Sequence, residues 1–159
     1  MRLTLLQRPL PERLARLRNV SLFATLNPRE LAIVAGFLHD REYTTGEIVF
    51  DEGEEGQALY VVFSGEVIIC RPGHRDSGHL AALGPGTVFG DLALLDNAPR
   101  AAQAVAASPT HLGVFFRSDF HNVLDTDARA ATKLYRQLAH LLARRLRDTV
   151  YGARGEHYL

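Results

Sequence analysis

The feature that most constrains this chain is residues 41–116, where short β-prone runs alternate with glycines. The runs cover 47–50, 58–63, 66–70, 79–83, 102–106 and 111–116. Short strands at this spacing, separated by glycine-containing turns, are typical of antiparallel sandwiches and jelly rolls. We therefore predict a mainly β domain of the α+β class, built as an antiparallel β jelly-roll barrel.

Helices are predicted on the N-terminal side of this region. Residues 1–20 form an amphipathic, basic segment with leucines among arginines. We expect a helix that packs on the domain, and the alternative is a docking segment for a partner or a lipid surface. Asn27, Pro28 and Glu30 then give a helix start, with Asn27 as the cap, proline in the first turn and Glu30 reaching back. That helix is predicted to bury Leu31, Ile33, Val34 and Phe37.

Two more helices are predicted after the β region. Ser118 is expected to cap a short helix that ends near Leu124, and residues 125–127 to start a longer one that ends near Tyr151. The longer helix carries an apolar stripe at three- and four-residue steps. Its members are Ala131, Leu134, Tyr135, Leu138, Leu141, Leu142 and Leu146. The predicted division is an N-terminal helical segment at 1–20, the main domain at 21–151 and a frayed tail at 152–159.

Composition limits the possible functions. The 159 residues fit one domain with a sizeable core. The 18 basic and 18 acidic residues balance, which argues against nucleic-acid binding driven by overall charge. No apolar run approaches the ~20 residues of a membrane helix, and no signal-peptide core is present, so we expect no membrane partner. Cys70 is the single cysteine, which agrees with a reducing, cytoplasmic location.

Residues 89–102 carry the candidate chemistry and read Phe-Gly-Asp-Leu-Ala-Leu-Leu-Asp-Asn-Ala-Pro-Arg-Ala-Ala. Gly90 allows a ligand to approach the backbone, and the free amides of a following helical turn attract an anion. Arg100 offers a planar fork of donors suited to phosphate oxygens. Asp91 cannot bind the same phosphate, because like charges repel, so it is expected to face a hydroxyl group. The combination indicates a sugar phosphate or nucleotide.

This stretch resembles the phosphate-binding cassette of the cyclic nucleotide-binding domain family, of the cyclic AMP receptor and kinase regulatory-subunit type. The family pattern is Phe-Gly-Glu-Leu-Ala-Leu, a short variable segment, and Pro-Arg-Ala-Ala. The sequence departs from it at Asp91, where the family has glutamate. Together with the helix, β region and two helices in family order, the resemblance covers about residues 20–150.

The resemblance implies a role for each matching residue. The cyclic phosphate would be held by the Arg100 side chain and by the amides of Leu92, Ala93 and Ala101, and Asp91 would accept a hydrogen bond from the ribose 2′-hydroxyl. The full implied ligand-binding set is Phe89, Gly90, Asp91, Leu92, Ala93, Arg100, Ala101 and Ala102. Alanine at position 101 favours cyclic AMP over cyclic GMP, because family members that prefer cyclic GMP often carry a hydroxyl residue there.

The family's last helix covers the base and moves on binding, so the lid candidates are Leu134, Tyr135 and Leu138. Plain core packing is the alternative for each of them. The implied function is a regulatory module, not an enzyme, that signals through this helix to an unidentified effector protein or to a second copy. Arg145 interrupts a strict heptad on the helix, which weakens the case for a homodimer through it.

Two other functions compete with nucleotide binding. Because the side chain of Asp91 is one methylene shorter than glutamate, the chain is alternatively a degenerate member that keeps the fold for protein interaction. The loss of a hydroxyl's acceptor costs about 1–3 kcal/mol, or about 5- to 150-fold in affinity. A metal-dependent barrel enzyme is the third hypothesis. The sequence lacks the His-x-His pair expected of such an enzyme, since His74 and His79 are five positions apart and His111 is isolated. No metal is therefore predicted.

Overall fold

The computed structural model describes residues 10–73 and 79–151, and its centre is a pair of four-stranded antiparallel sheets. The strands are β1 His39–Tyr43, β2 Ile48–Phe50, β3 Ala58–Ser64, β4 Val67–Cys70, β5 Ala81–Leu83, β6 Val88–Phe89, β7 Gln103–Ala106 and β8 Thr110–Phe116. Their orders are β1-β8-β3-β6 and β2-β7-β4-β5. Eight strands in two antiparallel sheets are the arrangement of a jelly roll. The predicted mainly β fold class is confirmed.

Strands β1 and β6 were not predicted, because β1 has a mostly polar sequence and β6 has only two residues. Strand β1 reads His-Asp-Arg-Glu-Tyr, so only Tyr43 supplies a buried apolar side chain. It is an edge strand that pairs with β8 from His39 opposite Val114 to Tyr43 opposite Thr110. Strand β6 has two residues and, among the described strands, pairs with β3 alone. Pairing with a neighbour, and not local sequence, therefore defines both strands.

The core consists of two apolar clusters on opposite faces of β3. Leu59 and Val61 pack towards the helices, whereas Tyr60 and Val62 pack between the two sheets. Successive side chains of a strand point to opposite faces, so β3 is buried on both and reads as one apolar run. The between-sheet cluster also contains Phe50, Val67, Ile69, Phe89, Leu112 and Val114. The helical cluster also contains Leu17, Phe23, Leu31, Val34, Phe115, Phe120, Leu134 and Leu138.

The N-terminal helices are α1 Leu10–Arg18 and α2 Pro28–Phe37, joined through a 3₁₀ turn at Ser21–Phe23. The predicted start of α2 is confirmed: the Asn27 side chain accepts from Glu30 N, and the Glu30 carboxylate accepts from Asn27 N, each at 2.9 Å. Ile33 and Phe37 are half-buried, and Ala35 joins the core instead. Part of the predicted segment 1–20, residues 1–9, lies outside the described residues.

The C-terminal helices are α3 Arg117–Thr126 and α4 Ala128–Tyr151. The prediction that Ser118 caps α3 was wrong, because the N-cap is Phe116, two residues earlier, and the carboxylate of Asp119 accepts from the backbone N–H of Phe116 at 3.0 Å. The start of α4 is as predicted, since Asp127 Oδ1 accepts from the amides of Arg129 and Ala130. The predicted tail at 152–159 lies outside the described residues.

Candidate ligand-binding site

A sharp backbone turn after β6 creates the site. Gly90 has φ 70° and ψ 15°, the left-handed region, and leads into a 3₁₀ turn at Asp91–Leu94. A Cβ atom at Gly90 would lie 2.8 Å from Arg100 Nη1 and 3.2 Å from the Ala58 carbonyl oxygen. The dihedral angle favours glycine, and a side chain at this position would displace the Arg100 guanidinium.

A cavity of about 120 Å³ lies against this turn. Its lining residues are Phe50, Gly56, Gly90, Leu92, Ala93, Asp96, Ala98, Pro99, Arg100, Ala101 and Ala102. Six of the eight predicted ligand-binding residues thus share one cavity. The other two, Phe89 and Asp91, are buried beside it and do not line it.

Arg100 places a guanidinium group at the cavity wall. Its Nη1 donates to the Gly90 carbonyl at 3.0 Å and its Nη2 to the Ala58 carbonyl at 2.7 Å. The Phe50 ring lies beneath, with its centroid 4.1 Å from Cζ. Within the described part of the chain, Arg100 forms no ion pair and its buried Nε has no hydrogen-bond partner. Burial lowers the pKa of this guanidinium.

A desolvated cation is stabilised when an anion joins it. The same cavity offers backbone donors for such an anion. The amides of Leu92 and Ala101 donate to no protein acceptor among the described residues, whereas Ala93 N donates to the Gly90 carbonyl at 3.3 Å. The guanidinium group and the two unpaired amides therefore belong to residues that line one small cavity.

Asp91 is tied to the last helix. Arg145 Nη1 of α4 lies 2.9 Å from both carboxylate oxygens of Asp91, and Arg145 Nη2 donates to the Val88 carbonyl at 3.2 Å. The Asp91 residue is only 1% exposed. The residue predicted to accept a ribose hydroxyl is thus also the residue that connects the turn to α4.

A second cavity of about 350 Å³ lies between α4 and residues of β4, β5 and the 87–89 segment that contains β6. Its lining residues are Ile69, Ala82, Leu83, Thr87, Val88, Phe89, Leu141 and Arg145. None of the three predicted lid residues lines either of these cavities. Leu134 and Leu138 belong to the helical core cluster, and Tyr135 is 40% exposed with its ring edge-on to Phe120. The α4 residues at the second cavity are Leu141 and Arg145.

The residues of the site that sequence reasoning missed include Phe50, Arg117 and Arg145. Phe50 gave no signal beyond that of a core aromatic residue. Arg117, the first residue of α3, donates hydrogen bonds to the turn from outside the motif. Arg145 did carry a signal, because a charged side chain on an otherwise apolar helix stripe needs a buried partner.

The described residues show neither a metal-binding cluster nor a membrane-spanning helix. Residues 10–73 and 79–151 contain no group of three His, Cys, Asp or Glu side chains placed to hold a metal ion. In the same ranges, no helix is both long enough and apolar enough to span a bilayer.

Comparison with known proteins agrees with this geometry. The profile of the cyclic nucleotide-binding domain matches residues 40–127. The chain is 40% identical over 129 residues to the cyclic AMP receptor protein of Thermus thermophilus, covering 80% of this chain and 57% of that protein. It is 35% identical over 136 residues to the cAMP-dependent protein kinase regulatory subunit of Mycosarcoma maydis, covering 86% of this chain and 25% of that protein.

One solved structure has the same fold as this chain, and the match covers nearly the whole of the solved chain. The N-terminal domain of a transcriptional regulator from Streptomyces coelicolor A3(2) superposes with a TM-score of 0.73 at 32% identity, covering 84% of this chain and 94% of that chain. The chain spans 57% of the first curated relative and 25% of the second. The profile match extends over more than half of the residues, and the chain belongs to the cyclic nucleotide-binding domain family.

Proposed function

We propose that this chain is a regulatory module that binds cyclic AMP with the cyclic phosphate against Arg100. The observation that carries the proposal is the buried guanidinium, which has no carboxylate partner among the described residues and borders an open cavity. A phosphodiester carries one negative charge and two free oxygens, which match the planar fork of arginine. The unpaired amides of Leu92 and Ala101 supply further donors on the same wall.

The two cavities divide the ligand between them. A volume of about 120 Å³ holds about four water molecules, which is enough for a phosphate group and too little for a whole nucleotide. We place the ribose at Asp91, whose carboxylate oxygens retain lone pairs beyond those that Arg145 occupies. The base then extends to the second cavity, where Leu141 of α4 contacts it in place of the lid residues Leu134, Tyr135 and Leu138.

The preference for cyclic AMP rests on Ala101 and on the relatives. Ala101 presents a methyl group to the cavity and offers no hydroxyl to a guanine amino group. The names of both relatives refer to cyclic AMP. Cyclic GMP is the weaker ligand in this proposal.

The output of the module is movement of α4. Ligand at Asp91 competes with or strengthens the Arg145 contact, so the helix has a different free energy in the bound and free states. A ligand shifts such an equilibrium only by its differential affinity for the two states. The receiver is an effector protein or a second copy of the chain.

A homodimer through α4 is one form of this output. Leu146 and Val150 are each 64% exposed, and Tyr135 lies along the same side of the helix. Exposed large apolar residues on one helix face are typical of a helix–helix contact. Sedimentation equilibrium of the wild type should show a dimer, and Leu146→Asp should shift it to monomer. A wild-type monomer over the whole concentration range contradicts the dimer.

The competing function is a degenerate domain that binds a protein and no nucleotide. The observation in its favour is the Asp91–Arg145 pair, because a short acid already engaged by an arginine is less available to a ribose hydroxyl. Restoring the family residue discriminates between the two: if the wild type shows no binding and Asp91→Glu binds, the domain is degenerate.

Isothermal titration calorimetry with cyclic AMP and cyclic GMP tests the proposal. The wild type should bind cyclic AMP more tightly than cyclic GMP, and Arg100→Gln should weaken binding about 100-fold, because about 3 kcal/mol of charge-assisted hydrogen bonding is lost. Arg144→Gln, an exposed change on α4, is the matched control and should bind as the wild type does. Equal binding by Arg100→Gln and wild type contradicts the proposal.

A further inference from the structure

Arg117 uses its whole guanidinium group on the loops that form the ligand cavity. Its Nε donates to the Ala93 carbonyl at 2.7 Å, and Nη2 also contacts that oxygen. Nη2 donates to the carbonyls of Gly56 at 2.8 Å and Asp96 at 2.7 Å, and Nη1 donates to Asn97 Oδ1 at 2.6 Å. Four acceptors from two separate loops therefore meet at one side chain.

These acceptors belong to the cavity wall, although Arg117 itself does not line the cavity. Gly56, Ala93 and Asp96 are all lining residues. A Cβ atom at Gly56 would lie 2.9 Å from the Ala93 Cβ and 3.5 Å from Arg100 Cζ, so these three residues are in close contact. Any movement of the loop before β3 relative to the Asp91–Leu94 turn would change the position of Arg100.

The turn needs an external partner because it is short. A helical turn leaves its last carbonyl groups without intrahelical donors, and a cation at that end is favourable. Arg117 supplies the donors and the charge at the carbonyl end, at Ala93 and Asp96. The amides of the turn point the opposite way, so fixing the carbonyl end also fixes the unpaired amide of Leu92, a residue that lines the cavity.

We propose that Arg117 is a positioning residue for ligand binding, which holds the 54–57 loop and the 91–97 turn in the geometry that the cyclic phosphate requires. This inference rests on the proposed function, because it gives Arg117 a role at the same site. The role depends on the planar fork of five donors and not on charge alone, since an ammonium group has three donors at one point and cannot reach four acceptors.

The test compares Arg117→Lys with wild type by calorimetry with cyclic AMP and by amide hydrogen exchange without ligand. The reporting amides are those of Leu95 and Asp96, which both donate to the Leu92 carbonyl at 3.0 Å. Arg117→Lys should weaken cyclic AMP binding about 10- to 100-fold, the effect of losing one or two hydrogen bonds with a charged donor. Exchange at the two reporting amides should be about tenfold faster or more.

Two controls separate positioning from general unfolding. The core amides of Val61 and Leu112 should exchange at the wild-type rate in Arg117→Lys, which shows that the sheets stay folded. Arg144→Lys should change neither binding nor exchange. Faster exchange at the core amides as well as at the turn would assign Arg117 a merely structural role and overturn the inference.

The remaining outcomes also decide. If wild type binds cyclic AMP and Arg117→Lys binds equally well, or binds weakly with unchanged exchange at Leu95 and Asp96, the inference fails while the proposed function stands. If wild type does not bind cyclic AMP, the proposed function fails, and exchange alone judges Arg117: unchanged rates at the turn overturn its positioning role, and faster rates confined to the turn support it.

Discussion

Arg145 Nη1 lies 2.9 Å from both carboxylate oxygens of Asp91, and this contact joins the Asp91–Leu94 turn to the last helix. Asp91 is the residue at which the chain departs from its family pattern, and Arg145 is the charged residue on the apolar stripe of α4. The buried acid at position 91 therefore explains why the apolar stripe contains an arginine at position 145. A shorter acid remains buried because an arginine neutralises it.

The first prediction concerns the energy of this pair. Arg145→Met leaves the buried Asp91 carboxylate without its cation, so the free energy of unfolding should fall by about 3 kcal/mol. Asp91→Asn should be costly for the converse reason, and the double variant should lose less than the sum of the two changes. Urea unfolding of all four proteins gives the coupling energy, expected at about 1–3 kcal/mol.

The matched control for this cycle is Arg144→Met. Arg144 is exposed and adjacent in sequence, and within the described residues it forms no ion pair. Its substitution should change the unfolding free energy by no more than about 0.5 kcal/mol. A coupling energy indistinguishable from zero between Asp91 and Arg145 would show that the contact does not hold α4 to the turn.

The second prediction separates two effects of a side chain at position 90, namely the strain of the left-handed backbone and the contact with Arg100. Gly86→Ala places a side chain at φ 86° with its nearest contact, Asn19 O, at 3.9 Å, so it should lose only the left-handed strain of about 1–2 kcal/mol. Gly90→Ala adds a contact at 2.8 Å with Arg100 Nη1 and should also abolish cyclic AMP binding. Thermal unfolding and calorimetry of both variants measure this. Retained cyclic AMP affinity in Gly90→Ala would exclude the proposed position of Arg100.

The third prediction concerns the hydroxyl acceptor. If Asp91 accepts from the ribose, 2′-deoxy cyclic AMP should bind wild type about 5- to 150-fold more weakly than cyclic AMP, since a buried acceptor loses its partner. Asp91→Asn should reduce that difference, because a neutral amide oxygen is the weaker acceptor. Competition binding with both nucleotides decides. Equal affinities in wild type would remove Asp91 from the ligand-binding set.

The fourth prediction is a pH dependence at β1, which lies at the opposite edge of its sheet from β6. His111 Nε2 lies 2.9 Å from Asp40 Oδ1, and Arg13 Nε lies 3.9 Å from Oδ2. Burial raises the pKa of Asp40, but the hydrogen bond from His111 and the charges of His111, Arg13 and Arg16 together outweigh it and leave the pKa lowered.

A pKa that is lower in the folded than in the unfolded chain stabilises the fold above the unfolded value of about 3.9, and that stability is lost as the pH falls through the folded value. Urea unfolding from about pH 5 to about pH 2 should therefore show a steeper loss of stability in wild type than in Asp40→Asn. The exposed change Asp125→Asn is the control and should keep the wild-type slope. Parallel curves for wild type and Asp40→Asn contradict the assignment.

Much of the fold was predictable because the strands and helix starts have recognisable local sequence patterns. The six predicted strands match β2, β3, β4, β5, β7 and β8 to within one or two residues at most ends. The Asn27 cap and the Asp127 start of α4 follow from side chains that satisfy nearby amides. Strand β1 was not predictable, because its polar sequence is ordered by pairing with β8.

The grouping of the motif residues around one cavity was predictable, and the orientation of the Asp91 side chain was not. The motif at 89–102 brought Gly90, Leu92, Arg100 and Ala101 into one cavity as expected. The direction of Asp91 depends on Arg145, which lies 54 positions away along the chain. No local pattern encodes such a pair, and the same is true of the bonds from Arg117 to the turn.

The measurement that tests the central claim most directly is the nuclear magnetic resonance signal of the Arg100 Nε–H group during titration with cyclic AMP. That N–H has no protein acceptor among the described residues, so a bound phosphate should shift its proton signal downfield in a saturable way. The signal is assigned by its absence in Arg100→Lys. A signal that stays in place while cyclic AMP binds would show that the phosphate does not lie at Arg100.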